Sequence, residues 1–135
     1  MSDNKVVFIS GSNRGIGLDL VLQFADADWS VIAGYRRYES SKMLFDEADR
    51  NDNIYPVKVD IREENEVQNL YEFIKDKFNK LDILVNNAGI NINPSGNINN
   101  VDLSEITDNF LTNVGGSFLT TKILYPLIKN SDDKK

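Results

Sequence analysis

The chain has 135 residues, no cysteine or histidine, and a formal net charge of −6. This length suits one domain over residues 1–135, and no apolar run reaches the roughly 20 residues of a membrane-spanning helix. The missing residue types exclude Ser-His-Asp and Cys-His nucleophiles and an ordinary structural zinc site, so no metal is expected. The acidic balance argues against nucleic-acid binding, and the lack of disulfides and of a signal peptide favours the cytoplasm.

The first predicted element is a buried parallel strand at 5–10, an apolar run rich in β-branched residues. Glycines follow at Gly11, Gly15 and Gly17, and the apolar residues after them have helical spacing, at Ile16, Leu20, Val21, Phe24 and Ala25. A strand, a glycine loop and a helix in this order suit a bound pyrophosphate, because backbone N–H groups and the helix N-terminus favour negative charge. A glycine-rich turn without a ligand is the alternative.

Two further strands are predicted at 29–35 and 54–59, with a helix at 39–50 between them. Met43, Leu44 and Ala48 are expected on the inner face of that helix. Pro56 lies in the third strand and restricts it to the edge of a sheet, because proline cannot donate to a hydrogen-bond ladder.

The second half of the chain predicts a helix at 63–78, a fourth strand at 81–85 and an irregular loop at 90–101. A long last helix begins at Leu103, and Gly115 and Gly116 inside it indicate a close approach or a bend. Its apolar residues include Ile106, Phe110, Val114, Phe118, Ile123, Leu127 and Ile128. The polar tail at 131–135 is expected to fray.

Strands that alternate with helices imply right-handed crossovers and a parallel sheet. The predicted fold is a Rossmann-like, three-layer α/β/α domain with strand order 3-2-1-4. A nucleotide crevice is expected between strands one and four, where the winding reverses.

Four motifs make the chain resemble the short-chain dehydrogenase/reductase family over essentially its whole length. They are SGSNRGIG at 10–17, Asp60 after the third strand, NNAG at 86–89 and Asn113 in the last helix. The resemblance implies a nicotinamide dinucleotide as ligand and places Asn113 in the family's catalytic set. The cofactor-binding residues that it implies are Gly11, Ser12, Asn13, Arg14, Gly15, Ile16, Gly17, Arg36, Asp60, Ile61, Asn86, Ala88 and Gly89.

Each motif also has a purely structural interpretation. The alternative for Asp60 is a helix cap with Glu63 as its capping-box partner. Asn86 and Asn87 are ordinary turn formers after a strand, and Asn113 alone resembles a tolerated polar residue in a helix.

The arginines near the predicted crevice indicate which of the two nicotinamide coenzymes is preferred. Dehydrogenases that prefer NAD usually end the second strand with a carboxylate that contacts the ribose hydroxyls. Here Tyr35 has that position, Arg36 follows it, and Arg14 lies in the glycine loop. Two guanidinium groups can flank a 2′-phosphate, which favours NADP(H) over NAD(H). The alternative is that Arg36 and Arg37 are simply a solvated pair.

The family's catalytic Ser and Tyr-x-x-x-Lys follow a fifth strand, and this chain stops before that strand begins. Three Tyr-x-x-x-Lys matches occur, at Tyr38/Lys42, Tyr71/Lys75 and Tyr125/Lys129, and each is rejected because its predicted context is wrong. We therefore expect the cofactor-binding portion of an NADP(H)-dependent oxidoreductase for small carbonyl or alcohol substrates, inactive alone. The alternative is a non-catalytic nucleotide-binding or interaction module.

The truncated sheet also predicts self-association. Without later strands, the apolar fourth strand becomes a sheet edge, and such an edge invites pairing with another chain. A homo-oligomer formed through strand four or the last helix is therefore expected.

Overall fold

The sheet is parallel, as the alternating pattern predicts. The structure is a computed structural model in which residues 4–90 and 96–132 are described. The strands are β1 (Val6–Ile9), β2 (Ser30–Tyr35), β3 (Ile54–Lys58) and β4 (Ile83–Val85). Their order is β3-β2-β1-β4, which confirms the predicted order 3-2-1-4 and the Rossmann-like fold class. Pro56 lies in β3 at the edge of the sheet, opposite Ala33 of β2.

Helices cover both faces of the sheet. They are α1 (Gly15–Asp26), α2 (Lys42–Arg50), α3 (Glu64–Lys77), α4 (Leu103–Phe110) and α5 (Ser117–Lys129). A π-helical segment, Leu111–Gly116, joins α4 to α5, so the predicted long last helix is present but irregular at its centre. No helix in the described part of the chain is long and apolar enough to cross a membrane.

The two faces of β1 make two separate cores. Val6 and Phe8 point to one side, where they pack with buried residues of α3 and α5. Val7 and Ile9 point to the other side, where they pack with α1 and α2. Successive side chains of a strand face opposite ways, so a central strand buried on both faces reads as the continuous apolar run seen in the sequence.

Two side chains predicted to face the core are exposed. Met43 is 63% exposed, whereas its neighbour Leu44 is fully buried, because consecutive residues of a helix point about 100° apart. Ile16 is 72% exposed, although Gly17, Leu18, Val21 and Ala25 farther along α1 are buried. It lies at the start of the helix, above the end of the sheet.

The C-terminal tail was expected to fray, and this is wrong for Ser131. Its side chain is buried and its hydroxyl donates to the Asp82 carboxylate, which also accepts the backbone N–H of Val6 at 2.7 Å. A buried partner distant in the chain therefore holds the end of α5. The rest of the tail from 133 onward, and loop residues 91–95, lie outside the described residues.

The two glycines of the last helix differ in their surroundings. A Cβ on Gly116 would lie 2.5 Å from Cδ1 of Ile61, so the predicted close approach is present there. The nearest atom to a Cβ on Gly115 is Cδ2 of Leu111 at 3.8 Å, an ordinary contact.

Candidate binding cleft

An open cleft of about 810 Å³ lies at the carboxyl ends of the strands. Its walls come from the glycine loop, the residue pair after β2, the end of β3, the segment after β4 and the π segment. This is the edge at which parallel α/β sheets bind ligands. It includes the point between β1 and β4 where the direction of winding reverses.

The glycine loop forms one wall of the cleft. Gly11 and Gly15 have φ values of +65° and +56°, a conformation that strains other residues. A Cβ on Gly17 would lie 2.0 Å from the Gly11 carbonyl oxygen, so the start of α1 packs directly on the loop. No acidic residue lies in the first turn of α1, and its N-cap residue, Arg14, makes no side-chain capping bond. Its first N–H groups therefore suit an anion from outside the helix.

Asn87 and Ser10 join the glycine loop to the segment after β4. The Asn87 side-chain amide donates to the carbonyl oxygens of Ser10 and Gly11, both at 3.1 Å. The Ser10 hydroxyl oxygen accepts the N–H groups of Asn87 and Ala88, at 3.1 and 2.9 Å. Neither residue was among the predicted site residues, although both lie inside the quoted motifs.

Two predicted cofactor residues do not line the cleft. Ser12 is fully buried beneath the loop, where its hydroxyl donates to the Ile9 carbonyl at 2.7 Å. The Asn86 amide donates to the Thr121 hydroxyl at 3.1 Å, toward α5. Asn86 and Asn87 follow an extended strand and point opposite ways, so only Asn87 faces the glycine loop.

The other predicted cofactor residues are brought together at the cleft. They are Gly11, Asn13, Arg14, Gly15, Ile16, Gly17, Arg36, Asp60, Ile61, Ala88 and Gly89. The exposure of Ile16 is explained by this placement, since its side chain borders the cleft and not the core.

Three arginines line the cleft. Arg14, Arg36 and Arg37 are all exposed and all line it. Within residues 4–90 and 96–132 none of them makes an ion pair, whereas Arg50 pairs with Glu47 and Arg62 pairs with Asp108. Two carboxylates, Glu39 and Asp60, border the same cleft. Cationic side chains therefore outnumber anionic ones there, in a chain whose net charge is −6.

Asp60 does not act as the helix cap that the structural alternative assigned to it. The N-cap of α3 is Glu63, which makes no side-chain capping bond. Asp60 accepts the Arg62 N–H at 3.0 Å, and its own N–H donates to Glu66 at 3.2 Å. Its carboxylate is therefore held by a local turn at the end of β3, beside the cleft.

Asn113 holds the segment after β4 and does not itself line the cleft. Its side-chain oxygen accepts the Ile90 N–H at 2.8 Å, and its amide donates to the Ile90 carbonyl at 3.0 Å. A polar residue that is merely tolerated in a helix would not make this reciprocal pair of hydrogen bonds. Its neighbour Thr112, which the sequence analysis missed, is buried and borders the cleft.

None of the three Tyr-x-x-x-Lys pairs lines the cleft in the described part of the chain. Lys42 pairs with Asp46 on α2 at 2.7 Å, and Tyr71 and Lys75 lie on α3. Lys129 lies over the ring of Tyr125 at the far end of α5. These positions agree with their rejection.

A parallel sheet with a glycine loop at its central crossover and a cleft at its carboxyl edge defines a Rossmann-like nucleotide-binding fold. Residues 5–134 match the family model described as short chain dehydrogenase, and the chain belongs to that family.

Individual relatives extend this finding. The chain is 32% identical over 128 residues to sulfoacetaldehyde reductase 2 of Chromohalobacter salexigens, covering 95% of this chain and 50% of the relative. It is 30% identical over 129 residues to farnesol dehydrogenase of Aedes aegypti, covering 93% and 51%.

Solved structures show the same fold. A carbonyl reductase from chicken fatty liver with NADPH bound superposes with a TM-score of 0.85 at 24% identity, covering 93% of this chain and 52% of that one. An ElxO variant with NADPH bound gives 0.82 at 29% identity, covering 94% and 52%. The chain spans about half the length of these relatives and structures.

Proposed function

We propose that this chain is the cofactor-binding portion of an NADP(H)-dependent oxidoreductase that interconverts small carbonyl and alcohol compounds. The bound coenzyme would supply or accept the hydride. The glycine loop and the start of α1 would hold its pyrophosphate, and Asp60 and Ile61 would border its adenosine. This proposal rests on the family membership and on the arginine-lined cleft.

The charge arrangement at the cleft carries the preference for NADP(H). Tyr35, and no carboxylate, ends β2, and Arg36 follows it. A 2′-phosphate at this place would meet guanidinium groups that have no other ion pair among the described residues. Both similar solved structures named above were determined with NADPH bound, which agrees with this choice.

Titration of NADPH and NADH into the wild type and into Arg36→Ala tests the preference. We expect NADPH to bind the wild type at least about 10-fold more tightly, since a charge-assisted contact contributes about 1.5–3 kcal/mol. Arg36→Ala should lose most of this difference while NADH binding stays nearly unchanged. Arg50→Ala, which removes a paired guanidinium at the end of α2, is the control. Equal affinities in the wild type would refute the preference, and no binding of either coenzyme would refute the function.

A non-catalytic nucleotide-binding or interaction module is the second candidate, favoured by the lack of a Tyr-x-x-x-Lys pair at the cleft in the described residues. In both cases we propose that the isolated chain turns over little or no substrate. NADPH oxidation with a panel of aldehydes and ketones checks this, and sustained turnover would overturn it. Activity restored by adding the family's remaining half as a second polypeptide would favour the oxidoreductase over the module.

A further inference from the structure

One buried side-chain polar atom at the cleft has no hydrogen-bond partner in the described part of the chain. Thr112 is only 4% exposed, and its hydroxyl oxygen is buried without a donor or acceptor. A buried hydroxyl of this kind destabilises a fold, because its bonds to water are lost and not replaced. Because Thr112 lines the cleft, a ligand bound there is one partner that this atom can have.

Other hydroxyl side chains of the last helix behave differently. Thr107, Ser117, Thr120 and Thr121 each donate to the carbonyl four residues earlier, at 3.1, 3.2, 2.7 and 2.8 Å. This is the ordinary solution for a hydroxyl in a helix. Thr112 is in the π segment, where the regular ladder is interrupted, and its hydroxyl does not use that solution.

The position of Thr112 is firmly held. The next residue, Asn113, makes the reciprocal amide pair with Ile90, and Gly116 packs against Ile61. Ile61 and Ile90 line the cleft together with Thr112. The hydroxyl is thus carried on backbone that is tied to two other walls of the cleft.

We propose that the Thr112 hydroxyl is a ligand contact of this cleft and hydrogen-bonds an uncharged polar group of the bound dinucleotide. This inference rests on the proposed function. The phosphates are assigned to the glycine loop and the arginines. Ile61 and Ile90, to which the backbone around Thr112 is tied, are uncharged. A neutral hydroxyl suits a neutral partner, and NADP(H) and NAD(H) share several, namely ribose hydroxyls, the adenine base and the nicotinamide carboxamide.

Thr112→Val tests the inference, because valine keeps the shape and removes the hydroxyl. We expect the dissociation constants of both NADPH and NADH to rise about 3- to 10-fold, the range of one neutral hydrogen bond. The urea midpoint of the free chain should stay the same or rise, since an unpartnered hydroxyl is gone. Thr112→Ser keeps the hydroxyl and should bind within about 2-fold of the wild type.

Thr120→Val is the matched control, since Thr120 is also buried on the last helix but has its partner within the chain. It should lower the urea midpoint and leave coenzyme affinity unchanged. Wild-type affinity in Thr112→Val would overturn this inference and leave the proposed function standing. A fall in stability without a change in affinity would also overturn it. A wild type that binds neither coenzyme overturns the proposed function and this inference with it.

Discussion

Single residues of the glycine loop serve two different physical needs. Gly15 has a positive φ and open space around its Cα, so it is needed for conformation. Gly17 has an ordinary backbone conformation but lies against the Gly11 carbonyl and the Asn87 amide, so it is needed for space. The sequence motif does not distinguish the two requirements, because both positions are glycine. The surroundings of each residue in the structure do distinguish them.

Alanine at these two positions should therefore have unequal effects. Gly15→Ala is expected to cost about 1–2 kcal/mol, the penalty of a left-handed conformation. Gly17→Ala should cost about 3 kcal/mol or more, because the new Cβ would lie 2.0 Å from backbone and α1 would have to move. Urea unfolding measures both, and equal losses would contradict the distinction.

Asp82 is a buried carboxylate that has a structural role away from the cleft. Its carboxylate is 2% exposed and binds the Val6 N–H, the Ser131 hydroxyl and, at 3.3 Å, the Lys80 ammonium group. It thereby connects the starts of β1 and β4 to the end of α5.

Asp82→Ala should lower the free energy of unfolding by about 3 kcal/mol, because it leaves a buried N–H and a buried hydroxyl short of a partner. Asp46→Ala removes an exposed carboxylate that pairs with Lys42, and should change the free energy of unfolding by less than about 0.5 kcal/mol. Urea unfolding of the two variants provides the comparison. Similar losses in both would show that the Asp82 contacts contribute little.

Among the elements, the last helix combines a regular start and end with a π-helical centre. The π segment carries Thr112 to the wall of the cleft, ties Asn113 to Ile90 and brings Gly116 onto Ile61. Interruptions of this kind often occur at functional sites. The element's geometry thus places the residues on which the proposed coenzyme contact depends.

Alanine at the two adjacent glycines of this helix, Gly115 and Gly116, should have opposite effects on stability. Gly115→Ala should stabilise the chain by about 0.5–1 kcal/mol, because alanine fits the available space and restricts the unfolded chain. Gly116→Ala should push Ile61 aside and weaken NADPH binding as well as stability. Thermal unfolding and NADPH titration measure these effects. A destabilised Gly115→Ala variant would be inconsistent with the open space at that position.

At the scale of the whole molecule, two surfaces have no partner in the described part of the chain. One is the outer edge of β4, which pairs with no strand other than β1 among the described residues. The other is an apolar stripe on α4, the π segment and the start of α5, made of Leu103, Ile106, Phe110, Val114 and Phe118. Each of these side chains is more than half exposed, and α4 buries no residue at all. Exposed apolar surface of this extent favours association.

We therefore predict that the chain self-associates through the apolar stripe or the β4 edge. Light scattering of the wild type should show an oligomer, and the double variant Phe110→Asp/Phe118→Asp should shift it toward the monomer if the stripe is used. Met43→Asp is the control, since Met43 is similarly exposed but lies on α2. An unchanged oligomer in the double variant would implicate β4, and a wild-type monomer over a wide concentration range would contradict the prediction.

Much of the architecture was predictable because its signals are local. Apolar runs and helical spacing located the strands and helices, and Pro56 placed β3 at the edge before any contact was known. The four motifs named the family that the comparison then showed. Boundaries moved by a few residues, as with α2, which begins at Lys42 after a short 3₁₀ turn.

The amino-acid sequence by itself determined the order of elements, the sheet topology, the glycine loop and the family. Tertiary structure alone decided that Asn87 and not Asn86 meets the loop, that Ser12 turns inward, that Ser131 is buried and that Thr112 borders the cleft. The reason is physical: periodicity is a property of neighbours in the chain. Which way one side chain points depends on strand phase, an irregular helical turn and partners distant in sequence.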